Sequence, residues 1–189
     1  INAGTNICAN PTLDVLPGGG FMAGWGERDI ATLDNAWDVY VRSFAPGGPP
    51  ASGATKVNSH LNGNHYAPQI ARVGDQRLVV WTSAGQDGSR EGVFARFVGP
   101  DSSLSGPEFQ VNTTTASQQI YPAVSSDGAG QFVVAWSSFI GGQTSFDLFA
   151  QRYSLSSLVP AAPFISALSS TRLSVTWPDA ASGAVSGYE

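Results

Sequence analysis

An all-β fold made of three copies of one unit is predicted by three observations. Trp25, Trp81 and Trp136 are spaced 56 and 55 residues apart. Each ends an apolar run that follows a proline and a turn, and each precedes a polar stretch and an aromatic segment carrying an arginine. Helical periodicity is absent, whereas β-branched and aromatic runs bounded by Gly, Pro, Asn and Asp recur along the chain. A period of this length marks one supersecondary unit whose apolar faces are buried by stacking on its neighbours.

The elements of a copy follow in order. The first is a short proline-led strand: Pro11-Thr12-Leu13, Pro68-Gln69-Ile70 and Pro122-Ala123-Val124. A Gly/Asp turn, Gly74-Asp75 or Asp127-Gly128-Ala129-Gly130, joins it in a tight hairpin to the run that ends in tryptophan, as in Gln76-Arg77-Leu78-Val79-Val80-Trp81. The third strand is Val39-Tyr40-Val41-Arg42, Val93-Phe94-Ala95-Arg96 or Leu148-Phe149-Ala150-Gln151-Arg152. A fourth is expected at Thr55-Lys56-Val57-Asn58 and Phe109-Gln110-Val111-Asn112. Four short antiparallel strands per repeat are the plan of a β-propeller blade.

The Val-Asn pair sets the phase. Asn58 and Asn112 each lie ten residues before the next inner-strand proline, and Asn2 lies nine before Pro11, so residue 1 falls at the end of a fourth strand. The blades are placed at about 1–57, 58–111 and 112–159, and the third has no Val-Asn strand. A closed ring takes about four to eight blades. Three leave two apolar flanks, and the expectation is self-association, foremost of two chains into a six-bladed ring. A trimer or larger ring, or a flank covered by the C-terminal segment, are the alternatives.

Beyond Pro160 the pattern changes to Ala161-Ala162-Pro163-Phe164, Leu173-Ser174-Val175-Thr176-Trp177 and a Gly-Tyr stretch at 183–188. Residues 160–189 resemble the opening of a fibronectin type III domain, a sandwich of about seven strands. So short a segment cannot bury a sandwich core alone, and it is expected to be partly ordered or recruited against the blades. Residues 1–159, with P-x-[LIV], a Gly/Asp turn, [FL]-[VM]-[VA]-x-W, [VL]-[FY]-[VA]-x-R and [KQ]-V-N-[ST], resemble the propeller-type tandem repeats of large secreted bacterial proteins, in which fibronectin type III modules often stand alongside. These are strand and turn positions, so the resemblance implies a fold and a secreted or cell-surface parent, with no catalytic residue.

Composition narrows the function classes. The net charge is −5 and Lys56 is the single lysine, which argues against a nucleic-acid partner or an anionic membrane surface. No apolar run approaches the roughly 20 residues of a membrane-spanning helix. No charged and apolar leader opens the chain, so export requires a segment upstream. One cysteine, Cys8, permits no internal disulfide.

The chemistry is expected on the loops. The connections entering the inner strands (5–10, 58–67, 112–121) and those between second and third strands (26–38, 82–92, 137–147) share one end of a blade stack. Both histidines lie there, in Ser59-His60-Leu61-Asn62-Gly63-Asn64-His65-Tyr66. His65 stands three residues before its proline, as Cys8 and Gln119 do before theirs, so the three would sit at equal depth around an axis. The candidate ligand-binding residues are His60, His65, Gln119, Glu27 and Asp87. His65, His60 and Cys8, with nearby acids Glu27, Asp29, Asp34, Asp87 and Glu91, are of the right types to hold one divalent ion such as zinc, manganese or calcium, although the spacing matches no zinc signature.

Plainer readings stand beside these. The histidines serve equally as loop hydrogen-bonding groups, Cys8 as a small buried core residue, and the tryptophans as packing residues rather than a sugar-binding lining. Arg42, Arg96 and Arg152 are expected to pair with carboxylates, and Asp87-Gly88 and Asp127-Gly128 to form turns before binding calcium. There is no G-x-S-x-G, phosphate loop or HExxH. The leading expectation is a binding module of an exported protein that recognises a carbohydrate or polymer surface. The rivals are a metal-dependent hydrolase of esterase or phosphoesterase type acting at the axis of an assembled ring, and a structural spacer.

Overall fold

In a computed structural model, residues 5–30, 36–141, 145–155, 164–169 and 172–176 are described. The chain is all-β. The first sheet holds β1 (Ile7–Val15), β2 (Phe21–Arg28), β3 (Asp38–Phe44) and β4 (Thr55–Lys56), and the second holds β5 (His65–Val73), β6 (Gln76–Ala84), β7 (Glu91–Val98) and β8 (Leu104–Gln110). Both run antiparallel in the order of the chain. The third, β9 (Gln119–Ser126), β10 (Gln131–Phe139) and β11 (Phe146–Ser154), pairs in the same sense. A hairpin of β12 (Phe164–Ser169) and β13 (Arg172–Thr176) forms a separate two-stranded sheet. Asn2, Asp34, Trp177 and the 183–188 stretch lie outside the described residues, so the N-terminal half-strand and the fibronectin-like remainder rest on sequence alone.

The inner strands β1, β5 and β9 lie side by side, which is the arrangement of blades about an axis. Between the sheets lie two apolar clusters. Met22, Val39, Val41 and Val57 of the first sheet meet Ile70, Val79, Trp81 and Phe94 of the second. Leu78, Val80, Val93 and Phe97 of the second meet Phe132, Val134, Trp136 and Tyr153 of the third. The rings of Phe132 and Tyr153 stack at 4.9 Å, with Phe97 edge-on to Phe132 at 5.8 Å. All three repeat tryptophans are buried, in keeping with a packing role. Away from the loop end, buried Arg77 of β6 reaches across to β1 and donates to Asp14 at 3.0 Å.

One local device explains why proline and tryptophan recur together. In each sheet the ladder between first and second strands skips two residues: Asn10-Pro11 opposite Trp25, Ala67-Pro68 opposite Trp81, Tyr121-Pro122 opposite Trp136. Proline has no N–H for a ladder and suits a bulge. The residue before it takes a positive φ of 53° at Asn10, 52° at Ala67 and 55° at Tyr121. For residues with a Cβ this left-handed conformation costs about 1–2 kcal/mol, and in each sheet the bulge lies opposite a buried tryptophan.

Two expectations need adjustment. The fourth strands stop at Lys56 and Gln110, so Val57-Asn58 and Val111-Asn112 follow the strands rather than lying in them. The valine N–H groups still extend the ladder, bonding the carbonyls of Val39 and Val93 at 2.7 and 2.8 Å, while each asparagine turns away. Two of the repeat arginines also bond main-chain carbonyls. Arg42 donates Nε to the carbonyl of Ser52 at 2.8 Å and Arg96 to that of Gly106 at 2.9 Å, with a second bond to Val57 at 3.0 Å. Through these bonds both side chains tie main chain to main chain.

Candidate functional site at the loop end

The loops expected at one end do meet there. The carbonyl of Trp37, from the first sheet's β2–β3 connection, accepts the N–H of His65 at 2.7 Å, and Gln118 accepts the N–H of Phe139 at 2.8 Å. The equal depth of Cys8, His65 and Gln119 is borne out by register. Their cross-strand partners are Glu27, Ser83 and Ser138, each two residues past the tryptophan of its copy.

The Val-Asn asparagines organise this end. Asn58 accepts the N–H of Val39 at 2.8 Å and donates to Asp38 Oδ1 at 2.7 Å and to the carbonyl of His60 at 3.0 Å. Asn112 accepts the N–H of Val93 at 2.7 Å, and it donates to the carbonyl of Thr114 at 2.9 Å, to Gln119 Oε1 at 3.1 Å and to Asp87 Oδ2 at 3.3 Å. One side chain thus closes the start of a third strand and fixes the loop to the next sheet. Burial makes these bonds costly to lose.

His65 is fully buried at the first of these junctions. Its Nδ1 lies 3.2 Å from the carbonyl of Trp37, which selects the tautomer that donates from Nδ1, and 3.8 Å from Asp38 Oδ1. Its Nε2 is buried without a hydrogen-bond partner. Burial pulls the imidazole below its ordinary range, against the opposing pull of Asp38 and the Trp37 carbonyl. Lys56 stands 3.4 Å from Asp38 on the far side. Gln119, also fully buried, fills the matching place in the third sheet and is satisfied by Asn112, Ala116 and Ser138.

Half-exposed His60 sits above this frame, with its ring 5.9 Å from that of His65. Its loop is pinned by Glu108 of β8, which accepts the N–H groups of Ser59 at 2.9 Å and His60 at 3.2 Å and the Gln86 carboxamide at 2.7 Å. Half-buried Glu27 accepts from the Trp25 indole at 2.7 Å and from Asn6 at 2.8 Å. Asp87 also closes its own turn on Ser89 at 3.1 Å, and Asp127 does so on the N–H groups of residues 129–131, as expected of turn formers.

The metal set is not assembled. Among the described residues no group of three or more His, Cys, Asp and Glu side chains stands close enough to hold an ion. His65 turns to Trp37 and Asp38, whereas Cys8 is exposed on β1 with its Sγ 3.7 Å from Glu27. Nor is Cys8 a core residue, because no described sheet stacks on the outer side of β1 to cover it. Sequence reasoning missed Asp38 and Glu108. Asp38 was signalled by its place directly before the valine that Asn58 serves, while Glu108 has no counterpart in the other copies. A shallow cleft of about 380 Å³ lies at the other end of the inner strands, between Asp14, Ile70, Arg72, Val124 and Asp127, where both carboxylates are already engaged.

No family model and no curated protein matches the sequence. Solved structures do resemble it in fold. An endo-arabinase from Bacteroides thetaiotaomicron superposes with a TM-score of 0.53 at 9% identity, over 94% of this chain and 72% of that one. The catalytic domain of an α-L-arabinofuranosidase from Coprinopsis cinerea gives 0.50 at 12%, over 92% and 61%. An α-L-arabinanase from Penicillium chrysogenum complexed with arabinobiose gives 0.52 at 14%, over 82% and 44%. This chain therefore spans less than two thirds of the latter two. At such identities the likeness bears on the fold, and it agrees with sheets of propeller type.

Proposed function

We propose that this chain is a propeller-type module of an exported protein that binds carbohydrate through the loop end of its blades. The observation that carries this reading is the pinned loop. Glu108, Asn58 and Asp38 hold His60 and its neighbours in one conformation, so that polar groups meet a ligand without first being ordered, and preorganisation is what a shallow sugar site requires. His60 and Glu27 are the contact residues in this reading. Buried His65 and Gln119 and half-buried Asp87 position the loops from beneath. The three similar folds named for arabinan or arabinoside cleavage suggest the probe. Calorimetric titration with arabinobiose and linear arabinan should show binding that His60→Ala weakens about tenfold; a protein that retains no neutral oligosaccharide would overturn the reading. The metal-hydrolase alternative finds no ligand set among the described residues.

We further propose that the open face of the third sheet takes a second copy of the chain. Val133 and Leu148 there are 38% and 66% exposed, whereas their repeat equivalents Leu78 and Val93 are fully buried by the following sheet. Another blade of the same kind is what that face fits. Light scattering should give a dimeric mass that Leu148→Glu reduces to the monomer; a monomer at millimolar concentration would refute it.

A further inference from the structure

The second junction carries an aromatic feature that the repeat itself does not require. The bulge before Pro122 belongs to every copy, but its left-handed residue is Asn10 in the first, Ala67 in the second and Tyr121 in the third. A tyrosine is poorly suited to that backbone conformation, and Tyr121 is 65% exposed, so its ring stabilises little of the core. Its N–H, freed from the ladder by the bulge, bonds Thr82 Oγ1 at 3.1 Å. Thr82 is the cross-strand partner of Tyr66, which brings the two tyrosines to one spot where β5 meets β9. Beside them Gln118 donates to Glu91 Oε2 at 2.8 Å, where a parallel bridge joins Glu91 to Gln118.

We infer that Tyr121 and Tyr66, with Glu91 and Gln118 at their edge, form a subsite for a neutral sugar ring. An exposed aromatic face takes the C–H face of a sugar, while a carboxylate and a carboxamide already bonded to each other accept from and donate to its hydroxyls. Glu91 disfavours an acidic sugar at the same place. The Tyr66 phenol, pushed up to about 12 by burial first and by Glu91 and Tyr121 after it, stays protonated and keeps a donor for the ligand. The strained backbone is consistent with selection for the ring rather than for stability. This inference rests on the module reading above and assigns the place on the loop end where the sugar stacks.

Calorimetric titration of arabinobiose and longer arabino-oligosaccharides into the intact chain, for the parent, Tyr121→Phe, Tyr121→Gly and His60→Ala, tests it. Tyr121→Phe should keep affinity within about twofold, because the stacking face remains. Tyr121→Gly should weaken binding about tenfold and at the same time raise the melting temperature, since glycine relieves the left-handed backbone. A structural residue would not lose binding while gaining stability. Unchanged affinity in Tyr121→Gly, with His60→Ala still impaired, would overturn the subsite alone. A parent chain that binds no neutral oligosaccharide would overturn the subsite and the module reading together.

Discussion

The junction between the first and second sheets and that between the second and third do the same task with different side chains. In both, an asparagine accepts the first valine N–H of a third strand and donates to a carboxylate and to a carbonyl two residues on. In the first the carboxylate is Asp38, adjacent to that valine. In the second it is Asp87, reaching from a loop into space left by Gly92, where a Cβ would stand 2.7 Å from Asp87 Oδ2. The inner-strand partner is His65 in one and Gln119 in the other. The asparagine is therefore the fixed part, and its partners are whatever groups reach the same point. The difference has a chemical consequence, because only the first junction places an imidazole at this point.

The comparison breaks most visibly at its constant. Asn58→Ala and Asn112→Ala should each cost about 3 kcal/mol in urea unfolding, since several buried bonds vanish and a valine N–H is orphaned. Costs differing by more than about 1 kcal/mol would mean the junctions are not equivalent. Gly92→Asp should next cost about 2 kcal/mol by crowding one carboxylate onto another. Pairing it with Asp87→Ser should recover most of that loss by rebuilding the first junction inside the second, whereas simple additivity would deny the interchange.

A smaller effect separates the junctions by pH. With its folded titration held below the ordinary 6.5, chiefly by burial, His65 takes up its proton more readily in the unfolded chain. Its contribution is thus fully present above that value and is lost as pH falls through it. Melting temperature should drop between pH 7 and 5, and His65→Gln should flatten the slope while staying within about 1 kcal/mol of the parent at pH 7.5. An unchanged slope in the variant would mean that His65 is not the group responsible. Smallest of all, Ala67→Gly should stabilise by about 0.5 kcal/mol, the relief of left-handed strain less the added chain entropy.

Much of the architecture was legible in advance. Strand positions, the hairpin turns, the shared loop end and the equal depth of Cys8, His65 and Gln119 all follow from the spacing of Pro and Trp, because a strand alternates sides with a fixed period. What the spacing does not reveal is the partner of a polar side chain. Arg42 and Arg96 found main-chain carbonyls, Asp38 and Glu108 became the organising carboxylates, and Cys8 lay open where a core residue was expected.

By itself the chain's pattern determined the repeat, the antiparallel strands and the Pro–Trp bulge, since these depend on local backbone chemistry and on which faces are apolar. Only the stacking of sheet on sheet decided that His65 and Gln119 are buried while His60 and Tyr121 face solvent. Burial and pairing depend on distances across sheets, and those bring together residues such as Ser59 and Glu108 that are 49 positions apart.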